Sequence, residues 1–495
     1  MSNTKYILAI DQGTSSTKAL IFDERGLAVA KGVELLHTSY FDNGFVEQRP
    51  EEIYRNALSA VKKCLDDFTG KGHSPESIVS AGISNQRETF VVWDKNGEPL
   101  YPAVVWQCKR SVQVCESLKQ KGLSSTIQQK TGLIIDPYFS ATKLIWLFQN
   151  NDTIKNAIQN GEAYFGTIDT WLLYKLTKSV SYLTDHTNAS RTLLFNIHSL
   201  QWDEELIREF GLTGINLPKI KSSSAHFGET MFEGLFTKPL AITAMMGDSH
   251  AASFGEGCFD AGTAKATLGT GCSILMNIGG KPVASKNGMV TTINWSTEDT
   301  INYALEGVIV SCGATVEWLK KELQLFKESS ETEAMALAVD DNGGVYLIPA
   351  FSGLGSPHWQ MERKASITGM TFGTTKNHIA RAALESIPFQ IKDVITAMEK
   401  DTSIALNELM TNGGLTSNKF VMQFLSDILN RTVCRSSMPD VSALGAAYMA
   451  GIQSKVYNGI EFLRTLNAGK RQFNPSSDLS LQSQSYKGWL KTIGE

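Results

Sequence analysis

Several short stretches of this chain concentrate residues able to bind or transfer charged groups. The first is Asp11-Gln12-Gly13-Thr14-Ser15-Ser16-Thr17, where a carboxylate, a glycine and a run of hydroxyls interrupt two apolar segments. A hairpin tip needs only Asn-Gly or Asp-Gly. Gly13 lets the backbone pass close to a ligand, while Thr14, Ser15, Ser16 and the turn amides offer donors to phosphate oxygens. Asp11 would repel a phosphate unless a cation lay between them, so its presence calls for Mg²⁺. A second tip is Gly269-Thr270-Gly271. A third stretch, Asn412 to Asn418 (NGGLTSN), places paired glycines ahead of a helix, where a phosphate or a base edge can dock. Each stretch taken singly also serves as an ordinary connection; their succession in one chain favours phosphate binding.

Two further stretches suit an uncharged acceptor. Asn85-Gln86-Arg87-Glu88 ends a strand, and burying four such side chains is costly without partners. An arginine fork beside a carboxylate fits the adjacent hydroxyls of a polyol; the same residues also suit a solvated loop with a local salt bridge. Asp248 stands where a strand gives way to a helix, so its carboxylate can face a cleft and accept a proton. His250 either competes for that role or packs. Trp106, Tyr138 and Trp359 are expected in the core on residue type. Walker-type loops, protein-kinase signatures, H-E-x-x-H and Cys/His clusters are absent from the sequence.

The elements that must position these residues are legible in the apolar patterning. Tyr6–Ile10 and Ala19–Phe22 read as strands, as do "SIVSAGIS" and "TFVVWD", and Pro50–Phe68 reads as an amphipathic helix opening on Pro and two Glu. "PLAITAMMGDSHAASFG" reads as strand, sharp turn and small-residue helix. "TAKATLGTGCSILMNIG" repeats the strand–turn–strand device of the N-terminus, which predicts two related α/β halves with a ligand cleft between them.

A length of 495 residues requires more than one domain. The balance of 46 basic against 50 acidic residues, a formal charge of -4, disfavours nucleic acid or an anionic membrane as partner. Seven scattered cysteines without a C-x-x-C pair, together with no secretory leader or long apolar run, predict a cytoplasmic protein.

From "AIDQGTSST", "NQRETF", "YFSATKLIWL", "LGTGCSILMN", "PAFSGLGSPHW", "SITGMTFGTTKNHIARAALES" and "ALGAAYMAG", the chain resembles the FGGY carbohydrate kinases over about Tyr6 to Gly451. The resemblance implies an actin-like, ribonuclease H-like α/β fold. It implies two domains with mixed sheets flanked by helices, spanning 1–253 and 254–495, and an active site in the cleft. It implies transfer of the ATP γ-phosphoryl group to a primary hydroxyl of a small polyol, glycerol foremost, giving sn-glycerol 3-phosphate. Erythritol, xylulose or ribulose are larger alternatives, and a nucleotide- or sugar-binding pseudokinase is one of another class. The cofactors implied are ATP and Mg²⁺, and a homo-oligomer, dimer or tetramer, is expected.

Carried over position by position, the resemblance makes Asp248 the general base and Asp11 with Asp248 the metal ligands. Arg87, Glu88, Trp106, Tyr138, Asp248 and Ser249 form the acceptor pocket. Thr14, Ser15, Ser16, Lys18, Thr270, Gly313, Glu317, Gly414 and Asn418 meet the nucleotide. Ser249 and Ser273 stand where members acting on glycerol carry Gln and Phe, which opens the pocket to larger acceptors. Lys18, Glu317 and Asn412 replace the family's Arg, Gln and Asp.

Overall fold

The opening hairpin places its turn where a ligand can reach it. In the computed structural model, which describes residues 4–436, 438–467 and 470–494, Tyr6–Gln12 (β1) pairs antiparallel with Ser16–Phe22 (β2), Asp11 facing Lys18. Both strands are buried along most of their length, which is why they read as continuous apolar runs. Ala28–Leu35 (β3) extends the meander, and Pro50–Gly70 (α1) carries the chain to Ile78–Asn85 (β4), parallel to β1. Pro at its start and Glu51 and Glu52 in its first turn suit the N-terminus of α1, while Ile53, Ala57, Val61, Leu65 and Phe68 bury one face.

Ser224–Thr230 (β5) and Leu240–Gly247 (β6) complete a six-stranded sheet of order β5-β6-β4-β1-β2-β3. Its parallel strands end at one level, with Gln12 beside Asn85 and Asn85 beside Gly247. Arg87, Glu88 and Asp248 therefore leave the sheet at neighbouring carboxyl ends, where open α/β sheets bind ligands. A five-stranded sheet of short strands between residues 39 and 167 shares a core with helices that include Ser140–Asn150 (α2). Asp248–Gly255 (α3) begins where β6 stops.

The second half repeats the plan. Thr263–Leu268 (β7), Cys272–Gly279 (β8), Val290–Ser296 (β9), Ile301–Ile309 (β10), Glu408–Asn412 (β11), Thr432–Arg435 (β12) and Arg471–Phe473 (β13) form a sheet of order β9-β10-β8-β7-β11-β12-β13. Apart from the extra edge strand β9, it is again an antiparallel meander followed by two parallel strands and an antiparallel edge. Gly313–Lys321 (α4), Lys376–Thr402 (α5) and Lys419–Leu429 (α6) pack around it.

One helix crosses between the halves. Val441–Gln453 (α7) follows β12 in the chain yet covers the first sheet, its Ala443, Ala447, Tyr448 and Ala450 joining Ile7, Ala9, Phe22 and Met246 in one core. Ser224 and Thr243 donate to its Met449 and Ala450 carbonyls. It meets α3 backbone to backbone: a Cβ at Gly445 would overlap the Ala251 carbonyl, and one at Gly255 the Val441 carbonyl. Trp359, expected in the core, lies 39% exposed and spends its indole N–H on the Gly288 carbonyl at 2.7 Å.

Because α3 carries Asp248, this helix crossing also sets the site. Gly445→Ala should lower stability by about 2 kcal/mol or more, the cost of overpacking a rigid contact. An unchanged urea midpoint in that variant would contradict the close approach.

Candidate active site

Asp248 is the exposed end of a buried chain of charges. Its carboxylate is 37% exposed, and Oδ1 lies 3.4 Å from the Nε of Arg87. A Cβ on the preceding Gly247 would press on Arg87 Cγ at 2.6 Å, so only glycine lets this arginine run along the strand end. Glu88 adopts φ 61, a conformation disfavoured for a residue with a Cβ. The Ser140 hydroxyl pins its carbonyl at 2.8 Å.

The neighbours Arg87 and Glu88 do not pair with each other as the sequence suggests. The Arg87 fork donates to Glu306 on β10, Nη1 to Oε2 at 3.2 Å and Nη2 to Oε1 at 2.8 Å. Glu88 accepts instead from Arg191 Nε at 2.6 Å, and Arg191 Nη1 lies 2.6 Å from Glu306 Oε2. Glu88, Arg191, Glu306, Arg87 and Asp248 thus alternate in sign, all buried except Asp248. Burial alone would raise the Glu306 carboxyl, but the guanidinium groups of Arg191 and Arg87 hold it well below the usual carboxylate range. Burial dominates at Glu88, whose carboxyl is pushed up.

Aromatic residues wall this row. The Tyr138 hydroxyl lies 3.5 Å from Arg87 Nη2, and its ring meets Trp106 edge-on at 5.5 Å. Trp106 Nε1 donates to Thr14 Oγ1 at 2.9 Å, tying the aromatic wall to the first hydroxyl turn. Buried Lys143 on α2 fixes Tyr138 by donating to the carbonyls of Pro137, Tyr138 and Phe139 at 2.6, 2.7 and 3.1 Å. Ser273 donates to Glu306 Oε1 at 3.3 Å. His250 faces away: it is buried, its Nε2 lies 3.3 Å from Thr292 Oγ1, and burial holds the ring neutral.

A small cavity opens beside Asp248, and a larger one is lined by residues of the second half. The small one, of about 200 Å³, is lined by Asp11, Lys18, Asp248, Ser249, Lys265, Thr267, Asn412 and Asp440. Burial and the nearby charge of Asp248 raise the Asp11 carboxyl to about 6, with Ser84 donating to it at 3.0 Å. Lys18 is held by Asp440 at 2.9 Å, and Lys31 takes the other oxygen at 2.6 Å. Asn412 donates to Glu256 at 2.9 Å.

The second cavity, about 720 Å³, is lined by Thr270, Gly313, Glu317, Gly414 and Asn418 with apolar Leu268, Val316 and Leu415. The Gly269 and Thr270 carbonyls accept from Gly313, Cys312 and Ala314 N–H, so the second tip is stitched to the start of α4. The Asn418 side chain accepts from Val421 N at 3.1 Å and so caps α6 as well as lining the cavity. Glu317 accepts from Ser329 Oγ at 3.0 Å. In the first turn, Gly13 N donates to Ser16 O and Gln48 donates to Thr14 O, while Ser15 stays exposed.

Asp11 from the first stretch and Asn412 from the third therefore line the smaller cavity, and Thr270, Gly414 and Asn418 line the larger. Glu306, Arg191, Lys265 and Asp440 escaped the sequence reading. For Lys265 and Glu306 a signal existed: each is a lone charge inside an apolar strand, in "TAKATL" and "INYALEGVI". Among the described residues no group of three or more His, Cys, Asp or Glu forms a closed metal cage. An open pair such as Asp11 and Asp248 suits Mg²⁺, which takes one or two carboxylates plus phosphate oxygens.

Known proteins resemble this chain along nearly its whole length. The family model for the N-terminal domain of the FGGY family of carbohydrate kinases matches residues 6–255, and that for the C-terminal domain matches 264–454. The glycerol kinase of Halothermothrix orenii is 44% identical over 99% of this chain and 98% of its own. Glycerol kinase 1 of Thermotoga maritima is 44% identical over 99% of both. The structure of Plasmodium falciparum glycerol kinase with ADP superposes with a TM-score of 0.94 at 37% identity, covering 99% and 98% of the two chains. Gluconate kinase from Lactobacillus acidophilus shares the fold, at a TM-score of 0.88 and 22% identity over 99% and 97%.

The raised Asp11 carboxyl has a measurable consequence. Its folded-state value of about 6 exceeds the ordinary 3.8, so the folded protein holds this proton more tightly than the unfolded one and loses stability as pH rises through that window. Asp11→Asn should therefore raise the melting temperature of the ligand-free protein above pH 6, the gain shrinking as pH falls toward 4. A gain that grew on acidification would be the wrong sign.

Proposed function

The chain belongs to the FGGY family of carbohydrate kinases, and from that premise we propose that this ATP-dependent kinase phosphorylates a primary hydroxyl of glycerol to give sn-glycerol 3-phosphate. The observation that carries the reading is the position of Asp248, beside Arg87 and lining the pocket that also holds Asp11. The full-length relatives named as glycerol kinases support glycerol as acceptor.

Asp248 takes the hydroxyl proton as the acceptor oxygen bonds to the γ-phosphorus and the bond to ADP breaks. A positioned base contributes roughly 10²- to 10⁴-fold; alignment and charge stabilisation supply most of the remainder. Arg87, immobilised by Glu306, aims the Asp248 carboxylate. Glu88, Tyr138 and Trp106 bind and shield the acceptor, with Ser249 at its edge. Thr14, Ser15 and Ser16 with Lys18 meet the phosphates from one side and Thr270 from the other. Gly313, Glu317, Gly414 and Asn418 surround the nucleoside. Mg²⁺ bound by Asp11, Asp248 and phosphate oxygens would neutralise charge on the triphosphate.

We assign acceptor binding to a domain of residues 1–253 and nucleotide binding to one of 254–495. Domain closure excludes water from the phosphoryl group. Seven buried free cysteines suit a reducing, cytoplasmic setting, and among the described residues no helix is long and apolar enough to cross a membrane. The same reading carries a homo-oligomer. A second reading, a larger acceptor such as erythritol, xylulose or ribulose, is favoured by the small Ser273 side chain against Glu306.

Asp248→Asn should cut kcat by about 10²- to 10⁴-fold while leaving ADP affinity and melting temperature near wild type; near-normal turnover would remove Asp248 from its role. In an ATP-coupled assay over glycerol, erythritol, xylitol, xylulose and ribulose, glycerol should give the highest kcat/KM. A larger acceptor well ahead of it would replace glycerol.

A further inference from the structure

Lys265 is a buried cation with no acid placed against it. It lies inside β7 between Ala264 and Ala266, 1% exposed. Its ammonium meets only hydroxyls, Thr267 Oγ1 at 3.0 Å and Ser249 Oγ at 3.4 Å. Among the described residues no carboxylate comes within ion-pairing distance of it; Glu256, Glu306 and Asp248 act on it from further away. The other cations of the cleft are differently placed. Lys18 and Lys31 share Asp440, Arg87 and Arg191 share Glu306, and buried Lys143 spends its donors on three carbonyls.

A lysine ammonium has three donors, and two of these are met here by neutral oxygens. Holding it out of water without a counter-charge is costly to the fold. Burial accordingly lowers its affinity for the proton. The same ammonium lines the small cavity that holds Asp11 and Asp248. It stands in the second half, on the strand that leads into the Gly269-Thr270-Gly271 tip, and reaches Ser249, the residue after Asp248 on α3.

We propose that Lys265 is a phosphoryl-binding residue, whose ammonium takes a non-bridging oxygen of the group in transfer and so gains the anion its burial lacks. Those oxygens keep their charge while phosphorus passes from donor to acceptor, and a fixed cation in a dry cleft stabilises them without reorganising. Thr267 and Ser249 aim the ammonium, which gives Ser249 a role apart from acceptor size. The inference rests on the kinase reading above and is independent of the acceptor.

The test compares wild type, Lys265→Met and Lys265→Arg with Mg²⁺ present and no acceptor, reading the affinities for ADP and for ADP–beryllium fluoride, a mimic of the bound phosphoryl group. In Lys265→Met, ADP affinity should stay within about twofold, while affinity for the fluoride complex and kcat fall by about 10²-fold, the loss expected for one charge-stabilising donor. Lys265→Arg should recover part of both. The melting temperature of ligand-free Lys265→Met should equal or exceed wild type, because an unpaired buried charge has gone. Equal losses for ADP and the fluoride complex, no loss in either, or a marked drop in melting temperature would each make Lys265 a packing residue and overturn the proposal. Should Lys265→Met not fold, Lys265→Gln takes its place. If wild type phosphorylates none of the polyols, the acceptor reading fails, while the fluoride comparison still decides Lys265.

Discussion

Glu306 sits between two guanidinium groups in the dry interior, and the geometry of the cleft depends on that arrangement. It arrives on β10, from the second half, while Arg87 leaves β4 in the first half and Arg191 comes from the helical region between. Removing one member of such a cluster typically costs 3 to 5 kcal/mol because the remaining charge is left unpaired. What the cluster contributes is direction. With its fork occupied by Glu306, Arg87 has one edge left for Asp248 and Tyr138. A buried tie across the molecule thereby aims an exposed carboxylate.

The duplicated sheets explain why turns rich in glycine and hydroxyls recur. In each half an antiparallel meander supplies a hairpin tip, and parallel strands end beside it. Backbone amides and hydroxyls gather at these ends for geometric reasons, once in each half. The first half adds a wall of aromatic and charged side chains; the second adds the apolar cavity beside the start of α4. The two lining sets meet along β7 and β11, where Thr267 and Asn412 face the small cavity and Leu268 and Gly414 the large one.

Much of this was readable from the chain because it is local. Apolar runs located β1, β2, β4, β6, β7 and β8, and the Pro-Glu-Glu start located α1. The passage from Gly247 to Asp248 as strand end and helix start was also plain. Pairing was not. Arg87 and Glu88 are adjacent, yet the partner of Arg87 lies 219 residues away and that of Glu88 lies 103 away. Long-range ion pairs leave no local periodicity. Trp359 misled for a related reason: a single hydrogen bond to Gly288 holds this bulky ring at the surface. Nor does composition reveal that α7, an alanine-rich helix late in the chain, belongs over the first sheet.

That last placement bears on how the molecule is made. A ribosome that has delivered every strand of the first sheet has still to synthesise the helix that roofs it, so Ile7, Ala9 and Phe22 await Ala443 to Ala450 through nearly the whole of translation. The nascent first half must bear a bare apolar face for that interval, a surface suited to chaperone capture. Genes split between the halves would yield two fragments, each lacking part of its own interior.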